Sequence, residues 1–175
     1  MKLTIPDPSL VLLVGPSGAG KSTFAQTHFR PTEILSSDGL RAILAGDAND
    51  QAASGEAFHV LALLLNGRLK RRLLTVIDAT NLRDTSRRRW LGQSARYGIP
   101  TVAIAFDLAD QTFEVHNVAR PDRQEETEVV RNQADRMEAA MAALPSEGYS
   151  QIYVLRDPPA LGEIEIVRVR GVTGG

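Results

Sequence analysis

The sequence predicts an α/β fold in which a parallel sheet is flanked by helices on both faces and carries a helical lid. Three observations support this fold class. Strand-like apolar runs alternate with stretches of helical periodicity, a glycine-rich segment directly follows the first apolar run, and a charged corner separates two helical stretches near residue 120. Strands joined by crossover helices form parallel sheets with right-handed connections.

Composition limits the possible functions. The 175 residues, 43% of them hydrophobic, suit one domain, which we assign to residues 1–170 with a frayed tail at 171–175. A net charge of −1 gives no general attraction for polyanions, so a nucleic-acid site would have to be a local patch. The absence of cysteine excludes disulfides, thiolate metal sites and cysteine nucleophiles. Pro6 and Asp7 interrupt any signal-like run and no apolar stretch approaches about 18 residues, so we expect a soluble cytoplasmic protein without membrane contact.

Hydrophobic periodicity predicts the elements in order. The predicted strands cover residues 9–14, 33–36, 74–78, 101–107, 151–155 and 164–169. The predicted helices cover residues 22–29, a short helix with Ser37 or Asp38 as N-cap that ends near Gly46, and residues 54–72, 84–97, 111–119 and 125–144. The longest has an apolar stripe made of Phe58, Leu61, Leu64, Leu65 and Leu69. Ligands of such sheets bind beyond the carboxyl ends of the strands, so the loops after the first four strands are the candidate site.

The most specific motif is the octapeptide from Gly15 to Ser22, Gly-Pro-Ser-Gly-Ala-Gly-Lys-Ser, which fits G-x-x-x-x-G-K-[ST]. It predicts a P-loop NTPase-type sheet. The glycines let successive N–H groups point at phosphate oxygens, Lys21 reaches the β- and γ-phosphates, and the Ser22 hydroxyl takes a Mg²⁺ position. We therefore expect ATP, or another nucleoside triphosphate, and Mg²⁺ as cofactors. The predicted nucleotide-binding residues are Gly15, Ser17, Gly18, Ala19, Gly20, Lys21, Ser22 and Thr23.

Asp78 ends an apolar strand in the manner of a Walker B carboxylate and is predicted to hold Mg²⁺ together with Ser22. Ala79 follows it where a motor ATPase usually has glutamate, which argues against a hydrolytic motor. A guanine-specifying Asn-Lys-x-Asp motif is also missing. A role of Asp78 as a simple helix cap stays open.

Asp38 and Arg41 are three residues apart, which places both on one face of a helical turn. A kinase needs a carboxylate that accepts the proton of the acceptor hydroxyl and a cation that holds a neighbouring anion. The pair therefore fits substrate positioning. A capping aspartate with an ordinary ion pair is the alternative.

The charged corner from His116 to Gln124 precedes an acidic helix start. Arg120 and Arg123 on such a connection are candidates for a lid that closes over the triphosphate and neutralises charge during transfer. A solvated loop whose arginines pair with Glu125 or Glu126 is the alternative.

In this order, the elements resemble the kinase modules of bacterial polynucleotide kinase-phosphatases, the RNA end-healing enzymes, and more broadly the polynucleotide 5′-hydroxyl kinase family. The resemblance covers almost the whole chain. The segments that carry it are residues 1–6, 15–23, 31–33, 36–38, 49–51, 78–81 and 122–124. The Ser-Ser-Asp-x-x-Arg and Asp-Ala-Thr-Asn elements are the more specific ones in combination.

The resemblance implies ATP-dependent transfer of the γ-phosphate to the 5′-OH end of RNA or DNA. It implies the following roles: general base for Asp38, ligand of the acceptor's adjacent phosphate for Arg41, phosphate and Mg²⁺ contacts for Lys21 and Ser22, and lid residues for Arg120 and Arg123. His116 stands where the family's lid helix often carries a further arginine. Relatives also carry phosphatase and ligase modules downstream, so the chain resembles an isolated kinase domain or an excised part of a longer one.

Two other functions stay open: a small-metabolite kinase of the nucleoside or sugar-acid type, and a nucleotide-binding switch that transfers no phosphate. The arginine-rich stretches at residues 68–72 and 83–89 could track a phosphate backbone, but we interpret them as exposed faces of amphipathic helices. Trp90 is interpreted as a core residue.

Overall fold

The computed structural model describes residues 1–107, 127–156 and 163–170. Its strands are β1 (Lys2–Asp7), β2 (Leu10–Val14), β3 (Ile34–Ser36), β4 (Thr75–Asp78), β5 (Thr101–Phe106), β6 (Gln151–Leu155) and β7 (Glu165–Arg170). Its helices are α1 (Lys21–His28), α2 (Ser37–Ala45), α3 (Ser54–Lys70), α4 (Asp84–Ala95) and α5 (Thr127–Ala143). The predicted helix at 111–119 and the predicted tail at 171–175 lie outside the described residues.

The central sheet has five parallel strands in the order β3-β4-β2-β5-β6, which confirms the predicted α/β class. Its register aligns the carboxyl ends of neighbouring strands. Ser36 at the end of β3 lies beside Asp78 at the end of β4. Leu12 of β2 lies beside Ile77. The segments that follow β3, β4 and β2 therefore emerge next to one another.

Helices cover both faces of this sheet because alternate residues of each strand point to opposite sides. Leu10, Leu12 and Val14 of β2 belong to one buried cluster with apolar residues of α3, α4 and α5. Val11 and Leu13 belong to the other cluster, which α1 closes from outside. Trp90 is fully buried, as predicted. In the part of the chain that the structure describes, no helix is long and apolar enough to cross a membrane.

A second sheet, which the sequence did not predict as such, pairs the first and last strands. β1 and β7 run parallel, with Lys2 opposite Glu165. The sequence analysis predicts no strand at residues 2–7, although Leu3 and Ile5 are fully buried there. The Tyr153 hydroxyl links this sheet to β6, since it accepts from the Thr4 N–H (3.0 Å) and donates to the Thr4 carbonyl (2.6 Å).

Three local predictions are wrong. Helix α2 is capped by Ser36 and not by Ser37 or Asp38, because the Ser36 hydroxyl accepts from the Gly39 N–H at 3.2 Å. Leu64 does not belong to the buried stripe of α3, since it is 44% exposed. Residues 83–89 do not form a uniformly exposed helix face, since Arg87 is buried.

Glu33 and Arg168 connect the small sheet to the turn before β3 through two hydrogen bonds, Nη1 to Oε1 at 2.7 Å and Nη2 to Oε2 at 2.8 Å. Burial raises the pKa of Glu33, but the hydrogen bonds from Arg168 and from the Arg30 N–H outweigh it and hold the pKa below its usual 4.5. A depressed carboxyl pKa stabilises the fold above the unfolded-state pKa, and this stabilisation is lost as pH falls through the folded-state value.

Glu33→Gln should therefore lower the free energy of unfolding by about 1 to 2 kcal/mol at pH 7. The difference from the parent should shrink below about pH 4.5 and vanish in stronger acid, where the parent is protonated too. Urea unfolding of the parent and the variant across this pH range measures the difference in their free energies of unfolding. Glu165→Gln is the matched control because its pair with Lys2 is exposed and 4.0 Å long. An equal loss of unfolding free energy at every pH would contradict the link between this stabilisation and the ionisation of Glu33.

Candidate active site

The P-loop connects β2 to α1, and two of its glycines adopt backbone angles that other residues avoid. Gly18 and Gly20 have φ angles of 79° and 83°, in the left-handed region. Gly20 directly precedes Lys21, the first residue of α1. The turn therefore delivers the loop's N–H groups to the amino end of a helix, where the dipole favours anions.

Gly15 begins the loop where there is no room for a side chain. A Cβ there would lie 3.0 Å from the Cβ of Phe106 at the end of β5. The Gly15 N–H donates to the Thr80 carbonyl at 2.9 Å, in the segment that follows β4. The start of the P-loop is thus fixed between the carboxyl ends of its two neighbouring strands.

Lys21 is buried although it carries a charge. Its ammonium donates to the Pro16 carbonyl at 2.5 Å and so folds back over the loop. Because the stem is packed and the head is held at the loop, a triphosphate in the cradle would meet a preorganised cation.

Asp78 lies at the centre of the site and is 6% exposed. Hydrogen bonding by the side chains of Ser22 and Ser36 favours the ionised form of its carboxyl group and so lowers its pKa. Burial raises the pKa of Asp78 above its usual value, nearby Asp38 adds to the rise, and the Ser22 bond and the charge of Lys21 oppose it. A buried carboxylate beside a hydroxyl is a set of hard oxygen ligands, so Ser22 and Asp78 fit Mg²⁺.

Asp38 and Arg41 belong to the first turns of α2, which starts where β3 ends beside Asp78. Their side chains form an ion pair. Arg41 is largely buried and its Nε also donates to the Ala48 carbonyl at 2.8 Å. The Asp38 side chain is 37% exposed. The carboxylate thus faces accessible space while the guanidinium is fixed behind it.

Asn81 is a residue of the site that sequence reasoning did not single out. Its φ of 50° is a left-handed conformation that asparagine tolerates. The side chain is buried, donates to the Leu13 carbonyl at 2.7 Å and accepts from the Trp90 indole N–H at 3.1 Å. Asn81 therefore ties the segment after β4 to β2, just before the P-loop.

A buried ion pair supports the same segment from behind. Arg87 is 1% exposed, and its Nε and Nη2 donate to the two carboxylate oxygens of Glu147 at 2.8 and 2.7 Å. Its Nη1 donates to the carbonyls of Asn81 (3.0 Å) and Leu82 (2.7 Å). The Asp-Ala-Thr-Asn element is the sequence signal that could have identified Asn81. No residue near Arg87 in the sequence indicates that it pairs with Glu147.

Arg120, Arg123 and His116 lie outside the described residues, so the structure does not place the predicted lid. The helix that follows them along the chain, α5, does touch the P-loop. The Ser17 N–H donates to the side-chain oxygen of Gln133 at 2.7 Å. No motif around Gln133 in the sequence indicates this contact.

Fold and site together define a protein of the P-loop kinase type. The chain belongs to the AAA domain family, a P-loop kinase family whose model matches residues 10–144. Membership implies binding of a nucleoside triphosphate, typically with Mg²⁺. No curated protein sequence matches the chain significantly.

Solved structures show the same fold at low identity. A putative kinase from Chloroflexus aurantiacus is 13% identical with a TM-score of 0.62, over 86% of this chain and 85% of that one. Shikimate kinase from Acinetobacter baumannii is 15% identical with a TM-score of 0.56, over 88% and 87%. A chain of the Pnkp1/Rnl/Hen1 complex is 24% identical with a TM-score of 0.54, over 69% of this chain and 41% of that one. At these identities the likeness concerns the fold alone.

Proposed function

We propose that the protein is an ATP-dependent polynucleotide 5′-hydroxyl kinase, which transfers the γ-phosphate to the 5′-OH end of RNA or DNA in nucleic-acid end repair. The observation that carries the proposal is the Asp38–Arg41 pair, which stands beside Asp78 at the mouth of the P-loop. The chain would act by itself or as part of a longer protein with phosphatase and ligase modules.

On the donor side, N–H groups of the P-loop after Pro16 bind the phosphates and Lys21 places its charge at the β- and γ-phosphates. Ser22 and Asp78 are the residues that would hold Mg²⁺. When bound, the ion neutralises charge on the transferred phosphoryl group. The buried setting of Lys21 and Asp78 strengthens each of these electrostatic interactions relative to water.

On the acceptor side, a carboxylate oxygen of Asp38 accepts the proton of the 5′-hydroxyl. The freed oxygen attacks the γ-phosphorus, the bond from that phosphorus to the bridging oxygen breaks, and the nucleoside diphosphate leaves with that oxygen. Arg41 binds the phosphate that follows the terminal nucleoside. Its Nε and Nη2 are engaged by Ala48 and Asp38, so Nη1 is the group that would meet the phosphate.

Arg120 and Arg123 complete the proposal as lid residues that meet charge growing on the transferred group. In the chain they lie between β5 and α5. This role follows from the sequence and the resemblance alone.

Support from known structures is divided. The 24% identical chain belongs to the Pnkp1/Rnl/Hen1 complex, which favours a polynucleotide acceptor. Shikimate kinase shares the fold over a larger part of both chains, which favours a small-molecule acceptor. The test must therefore compare acceptors rather than ask only whether ATP is used.

We expect Asp38→Asn to lower transfer to a 5′-OH oligonucleotide by about 10² or more while ATP binding persists, the usual scale of lost general-base help. Arg41→Ala should damage transfer to an oligonucleotide and to a nucleoside 3′-monophosphate far more than to an unphosphorylated nucleoside, because only the first two carry the phosphate it binds. Transfer from labelled ATP to the three acceptors measures this.

Asp135→Asn and Arg96→Ala are matched controls, since both side chains are exposed and lie outside α2, Asp135 on α5 and Arg96 in the turn directly after α4. Equal losses across the three acceptors, or a parent protein that leaves the oligonucleotide unlabelled, would sink the polynucleotide proposal and promote the small-metabolite kinase. ATP binding without transfer to any acceptor would promote the nucleotide-binding switch.

A further inference from the structure

The contact between Gln133 and the P-loop involves a group that the donor site needs. The Ser17 N–H belongs to the loop whose N–H groups are the predicted phosphate donors, and it donates to Gln133 Oε1 at 2.7 Å. The two residues are 116 positions apart in the chain, so tertiary packing brings them together.

The packing of α5 holds Gln133 in this position. Met137, one helical turn further along, is 5% exposed, and Ala140 is 1% exposed. Both belong to the buried cluster that α3, α4 and α5 form with one face of the central sheet. Residues four apart share a helix face, so Gln133 points from the same face as Met137. The end of the α5 region is fixed as well, through the buried pair of Glu147 and Arg87.

An amide hydrogen serves one acceptor well, so Gln133 and a phosphate oxygen are alternatives at Ser17. The side-chain oxygen of glutamine resembles a phosphate oxygen in size and in accepting hydrogen bonds, but it carries no charge. Hydrogen bonds to charged acceptors are shorter and roughly twice as strong as neutral ones. A triphosphate can therefore replace Gln133, but it must first break this bond.

We propose that Gln133 is an internal competitor of the triphosphate at the Ser17 amide, so that nucleotide binding releases the start of α5 from the P-loop. The binding of a donor and the position of the helix that follows the lid segment are then coupled, and each biases the other by the same free energy. This inference rests on the nucleotide-binding half of the proposed function and not on the identity of the acceptor.

The experiment measures affinity for a non-hydrolysable ATP analogue with Mg²⁺ by calorimetry, without any acceptor. Gln133→Ala removes the competing oxygen and should tighten binding by about two- to tenfold, the range of one net hydrogen bond. Gln133→Met, which keeps the length and apolar stem of the side chain, should tighten it similarly. Gln133→Glu should weaken binding by about tenfold or more, because the carboxylate holds the amide more strongly and repels the phosphates.

Asn132→Ala is the matched control, since the side chain is exposed on the same helix, and its affinity should equal the parent's. Hydrogen exchange gives the second readout: the analogue should speed exchange in the first half of α5 in the parent and not in Gln133→Ala. Unchanged or weaker binding by Gln133→Ala and Gln133→Met overturns the inference. A parent that binds the analogue but phosphorylates no oligonucleotide would overturn the polynucleotide assignment and leave this inference standing.

Discussion

Asp78→Asn is expected to lower phosphoryl transfer by on the order of 10² or more and, at the same time, to raise the melting temperature by about 2 to 4 °C. Transfer falls because the variant loses a charged Mg²⁺ ligand. Stability rises because burial raises the pKa of Asp78, so that its ionised form at neutral pH costs free energy in the folded state.

The pH dependence has a defined sign. A carboxyl group whose pKa is raised on folding loses stability as pH rises from the unfolded-state value through the folded-state value. The rise in melting temperature caused by Asp78→Asn should therefore be absent below about pH 3.8, the ordinary pKa of an aspartate side chain, and should develop above that pH. Scanning calorimetry at several pH values, with and without Mg²⁺, measures both effects.

Asp84→Asn is the control for this variant, because Asp84 also follows β4 but lies on the exposed surface in a pair with Arg88. It should change neither transfer nor melting temperature. Mg²⁺ should raise the melting temperature of the parent more than that of Asp78→Asn. Near-normal transfer, or a melting temperature that falls at neutral pH, would contradict the assignment of Asp78.

Lys21→Ala is expected to reduce transfer by on the order of 10² or more, because the variant lacks the cation at the β- and γ-phosphates. The loss should appear with every acceptor, unlike the loss in Arg41→Ala, since the donor machinery serves them all. The charge of Lys21 also lowers the pKa of Asp78, so the variant should have a higher pKa at Asp78 than the parent.

Steady-state transfer assays and nucleotide titrations of the same preparations measure this variant. Lys70→Ala is its control, since Lys70 ends α3 and is exposed. A Lys21→Ala protein that transfers phosphate at close to the parent rate would remove the main argument for a nucleotide site in this loop.

Sequence patterns predicted the central sheet because its signals are local. Most of its strands are short apolar runs, and helix α3 repeats apolar residues at the helical period. The P-loop was also readable, since its function requires glycines and a lysine within eight consecutive residues. The alignment of Ser36 with Asp78 could not be predicted from the sequence, because the register between two strands depends on how they pair and not on either segment alone.

The rest of the site depends on partners that are distant along the chain. Arg87 stands in a run of three arginines that suggested an exposed helix face, yet Glu147, 60 residues away, draws it into the interior. Gln133 has no motif around it and becomes notable only because Ser17 donates to it. A single sequence offers no local signal for such pairs.

The parallel pairing of β1 with β7 bears on how the chain is synthesised. The Met1 carbonyl accepts from the Glu165 N–H at 2.8 Å, and the Met1 ammonium donates to the Glu163 carbonyl at 2.6 Å. β1 must therefore wait until β7 has been synthesised before the two strands can pair. Until then its unpaired edge and the buried faces of Leu3 and Ile5 stay uncovered, as aggregation-prone surface. Slow translation of the segment between β1 and β7 would prolong that exposure, whereas a chaperone bound to β1 would cover the exposed residues until β7 is made.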